Sequence, residues 1–488
     1  MKKITLFILS ALLVFSSVSC SNPDIDETAN NAVNKESASE TQLETAAETI
    51  DPAELDELPA DLTFDGAEFN ILACDGGDSR SLVEDGEGYT GTALNDAMYD
   101  MELVVEDKLD VSIVEIYDGE WQSAGKIARL VQAGDSTYTA VTARDRRALM
   151  IAQQNCFMPM NNLEHIDLDK IYWGSTISET LSIKNKLYFA VSSFNLKSFI
   201  NTGCIGFNKV VADSVGVEIP FEDVFNGTWT LDKFLSYGDI AARDVDGDGK
   251  DFDDAFTYGC MIQNIPLQLM ISSGEHIIEK DSEDMPVITV DTNEKIVSIL
   301  ERVREVFVTS NAAFGYDSNS WYSYVDSFNA GNMMTAVIRF AELETLREME
   351  DDFSIIPLPK YDETQKEYIS HTYDSMFTMV PVNVKDTAMA GAVLESLSCE
   401  GYHKVIPAYI ETTLQEKYSR DPETSAIIKI IYDTRAIDFG EAFMYDVYGN
   451  GPFGDMIIRN ELNFASHFAK GKKLANILLN DILELTEE

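Results

Sequence analysis

Ala67-Glu68-Phe69-Asn70-Ile71-Leu72-Ala73-Cys74 opens the stretch whose reading decides the fold. The run suits a buried strand, and Gly76-Gly77 closes it as a turn. Leu94, Ala97, Met98, Met101, Val104, Val105 and Leu109 then recur at helical spacing. Val111 to Tyr117 is β-branched and alternating, which predicts a second strand. Ala124, Ile127, Ala128 and Val131 mark another helix, and Tyr138 to Ala143 reads as a third strand. Strand and helix alternating at this rhythm predict βαβ units, with a mainly parallel sheet covered by helices on both faces. Ligands of such sheets bind outside the carboxyl ends of the strands. The places to look are therefore Asp75 to Asp78, Asp118 to Trp121 and Arg144 to Arg147.

Further along, Leu187 to Val191 reads as a strand, followed by Ser192-Ser193-Phe194-Asn195. A second mixed region runs to about residue 360, with helices from Leu231, at 294–308 and at 340–349, and a strand at 353–358. From about residue 387 the pattern is largely helical, and no repeat is visible.

Toward the N-terminus, Lys2 and Lys3 precede the apolar run Ile4 to Phe15, and small residues follow. That is the layout of a secretory signal. Ser17-Val18-Ser19-Cys20 resembles the bacterial lipobox, so Cys20 is the expected lipidation site, with Ser17 where an aliphatic residue is usual. Residues 21–60 are rich in Ser, Thr, Asn, Ala, Asp and Glu and have no aromatic residue, which predicts a disordered acidic tether. The whole chain has 84 acidic against 36 basic residues, a formal charge of −48. Such a surface excludes nucleic acid as a partner and excludes electrostatic docking on anionic lipid. Membrane attachment then rests on the lipid at Cys20, at the extracytoplasmic face. Cys74, Cys156, Cys204, Cys260 and Cys399 show no CxxC spacing and read mostly as small buried apolar residues, with one disulfide left open.

Several segments then carry a resemblance. Gly227-Thr228-Trp229-Thr230-Leu231-Asp232-Lys233-Phe234, Ser327-Phe328-Asn329-Ala330-Gly331-Asn332-Met333-Met334 and Asp352-Phe353-Ser354-Ile355-Ile356-Pro357-Leu358-Pro359-Lys360 resemble, in order and spacing, motifs of the bacterial extracellular solute-binding proteins for carbohydrates (family 1, Gram-positive lipoprotein branch). The resemblance covers most of residues 65–440. It implies a two-lobed α/β fold of the periplasmic-binding-protein type (type II), with the ligand in the cleft between lobes that hinge shut. Residues 61–191 and 360–397 would form lobe 1, and residues 192–359 and 398–488 lobe 2. It also implies a monomer that captures a sugar or oligosaccharide and delivers it to the membrane subunits of an ABC importer. Two rivals are a lipid-anchored enzyme acting on carbohydrate and a non-transport surface protein. Against the first, the sequence has no HExxH, GxSxG or P-loop; against the second, it has no repeats.

The cleft candidates are aromatic or charged residues near strand ends: Trp121, Arg144, Trp173, Arg339 and Asp374. Aromatic faces cover sugar rings, and planar charged groups bind hydroxyls in pairs. Trp229 reads instead as packing at a helix start, with Thr230 as the cap. Gly449-Asn450-Gly451-Pro452-Phe453-Gly454 matches GxGxxG but has no βαβ setting, so a glycine-rich loop is expected there. Asp244, Asp246 and Asp248, followed by Gly249, match the start of an EF-hand-type loop, with the Lys250 carbonyl next. The closing position holds Ala255, so Asp253 or Asp254 would complete the shell. The expectation is a structural Ca2+ away from the cleft. Calcium should therefore raise the melting temperature, and Asp246→Ala should abolish the rise; a transition moved by neither calcium nor chelator would make the loop an empty turn.

Overall fold

The computed structural model describes residues 54–74, 81–83, 88–118, 124–146, 148, 155–244, 247, 255–260, 264–309, 312–314, 323–412, 422–458 and 463–484. The first sheet collects Ala67–Cys74 (β1), Val111–Asp118 (β2), Ala140–Arg144 (β3), Phe157–Met158 (β4) and Ala190–Val191 (β5). β1 lies parallel between β2 and β3, with Ala67 opposite Val111 and Ile71 opposite Ala140. Helix Ala93–Leu109 (α1) links β1 to β2, and Ala124–Gln132 (α2) links β2 to β3, as the periodicity predicts. Met101, Val105 and Leu109 form the buried side of α1, while Val104 faces solvent.

The second sheet is built from Gly203–Asn208 (β6), Phe256–Gly259 (β7), Ala313–Phe314 (β8), Met333–Arg339 (β9) and Phe353–Ile356 (β10), in the order β8-β7-β9-β6-β10. Strand Met376–Pro381 (β11) then returns to the first sheet, antiparallel to β3, with Met376 opposite Arg144. Among the described residues, the chain crosses between the strands of the two sheets at 192–202 and returns at 357–375. Two sheets, their buried faces joined in one continuous apolar cluster, make a two-lobed α/β molecule.

Local chemistry explains where the elements start and stop. The Thr230 hydroxyl caps helix Leu231–Ser236 by accepting from the Lys233 N–H. Trp229 is wholly buried, and its indole N–H donates to the Pro357 carbonyl at 2.9 Å. The Lys360 N–H donates to the Trp229 carbonyl and the Leu231 N–H to the Lys360 carbonyl, so two of the motifs singled out in the sequence interlock. The 340–349 segment forms short 3-10 turns rather than one helix. Asn450–Ile458 is a helix, which corrects the expected glycine-rich loop. A Cβ on Gly449 would come within 2.5 Å of the Tyr445 ring, so the glycine there permits a close approach.

Two expected boundaries shift. Residues 54–60, read as the end of a disordered tether, are held by Asp56 to Lys108, by Glu57 to Lys170 at 3.0 Å and by the Glu54 carbonyl to His403 at 3.0 Å. Individual ion pairs anchor what average composition reads as loose chain. Residues 401–410, expected with the second lobe, pack against α1 of the first. A Cβ on Gly401 would lie 2.6 Å from the Ser193 carbonyl, so glycine lets this segment lie flat on the outward crossing.

Trp173 belongs to the core. It is wholly buried, and its indole N–H donates to Glu395 at 2.7 Å, beside the Tyr172 hydroxyl at 2.6 Å. The Asp167 N–H completes the set on this buried carboxylate at 3.2 Å. Glu395→Ala leaves the phenol and indole donors stranded and should cost about 2–5 kcal/mol in denaturant unfolding. Glu395→Gln, which keeps an acceptor, should cost less; equal losses would overturn this account.

Candidate functional site

The inner ends of the two sheets each carry an arginine, and both face the returning crossing. On the first lobe, β3 ends at Arg144 and is followed by Asp145 and Arg146. Asp145 is buried, with its carboxylate accepting from the Arg146 N–H at 2.6 Å and from the Ser375 N–H at 3.3 Å. Arg146 donates to Asp374 at 2.7 Å, and its guanidinium lies 3.3 Å from the centre of the Tyr445 ring. Among the described residues, Arg146 Nε has no hydrogen-bond partner, and neither oxygen of the wholly buried Glu441 has one.

On the second lobe, β9 delivers Arg339. Its guanidinium pairs with buried Glu342, with Nε at 2.8 Å, and reaches the Asn201 side chain at 3.3 Å. The Tyr373 ring centre lies 5.3 Å from this guanidinium. Asn201 also donates to the Asp374 carbonyl at 2.9 Å. Adjacent residues of one crossing therefore serve the two clusters, Tyr373 the Arg339 side and Asp374 the Arg146 side. Asp374 sits at φ +52°, in the left-handed region that aspartate tolerates better than most residues.

Of the residues expected from the sequence, Arg339 and Asp374 come together around this crossing. Arg144 is half-buried at the end of β3, but the ion pair to Asp374 is made by Arg146. Trp173 has no face open to a ligand. Trp121 lies outside the described residues, as do Asp246, Asp248, Lys250 and Asp254; Asp244 accepts from the Gly247 N–H at 2.6 Å. Glu441 and Tyr445 had no signal in the sequence, because they reach the site from the C-terminal helices. A cavity of ≈ 620 Å³ lies between Val224–Thr228, Lys360, Glu363–Tyr368 and the end of helix Pro422–Asp433. It shares no residue with the two arginine clusters, and none of its lining side chains is a buried polar group left unpartnered.

No family model and no curated protein matches the sequence. Solved structures do. A sugar transporter from Rhizobium etli in an open conformation aligns over 84% of this chain and 99% of its own, with a TM-score of 0.59 at 15% identity. The fold is that of the two-lobed solute-binding proteins. An extracellular solute-binding protein from Staphylococcus aureus in complex with maltose (TM-score 0.57, 11% identity, 86% and 98% covered) shares it. So does a cyclo/maltodextrin-binding protein complexed with maltotetraose (TM-score 0.56, 13% identity, 86% and 96% covered). The two-lobed α/β expectation stands on these alignments. No helix among the described residues is long and apolar enough to cross a membrane.

The electrostatics at the crossing are unusual for carboxylates. Burial, and then neighbouring Asp374, push the Asp145 carboxyl up to about 7. Burial, and then Asp145, push Glu441 well above the usual range. A carboxyl raised in the folded state holds a proton that the unfolded chain has already released. Its contribution to stability is present below the unfolded value of 3.8 and is lost as pH rises toward about 7. Asp145→Asn keeps an acceptor and removes the titration. Its stability relative to the unsubstituted protein should therefore rise between about pH 4 and about pH 7 in denaturant unfolding and level off above. A difference that does not change with pH would place the Asp145 carboxyl in the ordinary range.

Proposed function

We propose that this chain is the solute-capturing component of an ABC importer, which binds a sugar or oligosaccharide outside the membrane and hands it to a permease. The observation that carries the reading is the pair of arginine–carboxylate clusters, one at the inner end of each sheet, meeting on Tyr373 and Asp374. Arg146 Nε and the oxygens of Glu441, which acts electrostatically on Arg146, are buried and have no hydrogen-bond partner among the described residues. A hydroxyl group can both donate and accept, so a polyhydroxylated solute suits a surface that mixes arginines and carboxylates. Such a ligand must replace its hydrogen bonds to water on burial, which charged groups held in fixed positions do well.

The ligand residues in this reading are Arg339 and Asp374 with Arg146, together with Arg144 at the end of β3 and Trp121, which lies outside the described residues. Cys20 is the lipid attachment point that keeps the molecule at the extracytoplasmic face, and the permease subunits are the macromolecular partner. The named ligands of structurally similar proteins support a saccharide, since maltose and maltotetraose both appear among them.

A thermal-shift screen of the purified protein against a sugar library tests this. A micromolar binder at hundredfold excess should add about 2.7 kcal/mol of stability, and saturating ligand should shrink the radius of gyration in X-ray scattering. Arg339→Lys and Asp374→Asn should each cost about 1–3 kcal/mol of binding by calorimetry. Unchanged affinity in both would mean that the cleft lies elsewhere.

A further inference from the structure

The cavity of ≈ 620 Å³ has a buried cation in its wall. Backbone pairing puts it there. The Lys360 N–H donates to the Trp229 carbonyl and the Leu231 N–H to the Lys360 carbonyl, so the Lys360 side chain starts beside the Gly227–Thr228 turn. Lys360 is 3% exposed, and its ammonium donates to the Gln365 carbonyl at 2.8 Å. A Cβ on Gly227 would lie 3.0 Å from the same nitrogen. Gly227, Lys360 and Gln365 all line the cavity. An ammonium has three N–H donors, and among the described residues this one has a single acceptor and no carboxylate at ion-pair distance. A buried charge is costly unless it is paired. The Tyr368 ring centre is 5.5 Å from the ammonium, and the Tyr368 hydroxyl is tied to the Val224 carbonyl at 2.9 Å. Phe225, 47% exposed, and Ile430 add apolar lining. The other charged lining residues, Glu363, Lys366, Glu367 and Asp433, are all exposed. Asp223, behind Thr228, is taken by Lys233 and by the Thr228 hydroxyl at 2.9 Å.

We infer that this cavity is a second ligand site, separate from the two arginine clusters, which takes a small molecule with one carboxylate on an apolar body. The carboxylate accepts from the remaining N–H donors of Lys360, and the apolar body lies against Phe225, Tyr368 and Ile430. A neutral hydroxyl would occupy the donors but leave the ammonium unbalanced, whereas a carboxylate supplies acceptors and charge together. A second negative charge on the ligand is disfavoured, because Glu363, Glu367 and Asp433 outnumber Lys366 around the cavity. The volume suits such a molecule, since small-molecule sites span about 300–1,000 Å³. The inference goes beyond the solute-capturing reading and does not depend on it, because no residue of the arginine clusters takes part.

Calorimetric titration of the purified protein at pH 7 with acetate, hexanoate and 3-phenylpropionate, each beside its neutral amide, tests the inference. The two acids with an apolar body should bind more tightly than acetate, and each about tenfold or more tightly than its amide. Lys360→Gln should bring the ratio of acid to amide affinity close to one. Phe225→Ala, on the exposed rim, should weaken 3-phenylpropionate and its amide alike and keep their ratio. Asp433→Asn, also exposed, should tighten the acids several-fold and leave the amides unchanged. If Lys360→Gln does not fold, the two rim variants decide. Acid affinity unmoved by both would place the binding elsewhere and overturn the inference. Acids binding no more tightly than their amides, or no acid binding at all, would also overturn it, and would mean that the surrounding carboxylates alone balance Lys360. None of these outcomes bears on sugar binding, which the library screen reads separately.

Discussion

One short segment has to satisfy two lobes at once. Residues 370–375 give the Ser370 N–H to the Thr434 carbonyl, the Thr372 N–H to the Ala436 carbonyl and the Tyr373 N–H to the Asn201 carbonyl. The Ser375 carbonyl accepts from the Asp145 N–H, and the Thr372 hydroxyl meets that of Thr202 at 2.8 Å. Backbone groups away from water need partners, and here the partners come from β3, the outward crossing and the C-terminal region together. The segment can keep these bonds only if the inner ends of both sheets stay close to it. That constraint places Arg146 and Arg339 on either side of Tyr373 and Asp374.

Charges are then spread unequally between the lobes. Arg339 has a near-complete set of partners in Glu342 and Asn201, which fixes its fork. Arg146 holds Asp374 and covers the Tyr445 ring, but its Nε and the Glu441 carboxylate have no hydrogen-bond partner among the described residues. A satisfied buried pair orients a surface, and an unsatisfied one attracts whatever completes it.

The first sheet was legible because its pattern is local. β1, α1, β2 and α2 each announce themselves by a period of apolar residues and a break, and the structure keeps all four in place. Trp229 was legible as packing because a tryptophan just before a capped helix has an obvious neighbour to cover. The site was only half legible. The neighbourhood after Ala336-Val337-Ile338 pointed to Arg339 and strand-end position to the 144–147 stretch, but which arginine turns to Asp374 depends on the antiparallel return of β11, a pairing over more than two hundred residues of chain. Trp173 failed for a related reason. Its partner Glu395 lies on a helix far along the chain, and nothing around residue 173 signals a buried carboxylate. Glu441 and Tyr445 are likewise products of tertiary packing, and the last residues of the apparent tether depend on ion pairs with Lys108 and Lys170.

The five thiols of the folded body have a consequence of another kind. Cys74, Cys156, Cys204, Cys260 and Cys399 are all at most 2% exposed, and none is in a disulfide. Burial pushes Cys156 and Cys399 up to about 12 and Cys204 and Cys260 higher as well, so little reactive thiolate forms while the lobes are intact. Cys74 ends β1 and Cys156 precedes β4 in the first sheet, while Cys204 lies in β6 and Cys260 directly follows β7 in the second. The protein thus contains its own set of clocks: the order in which a thiol reagent marks these positions reports which sheet comes apart first, without any label being introduced.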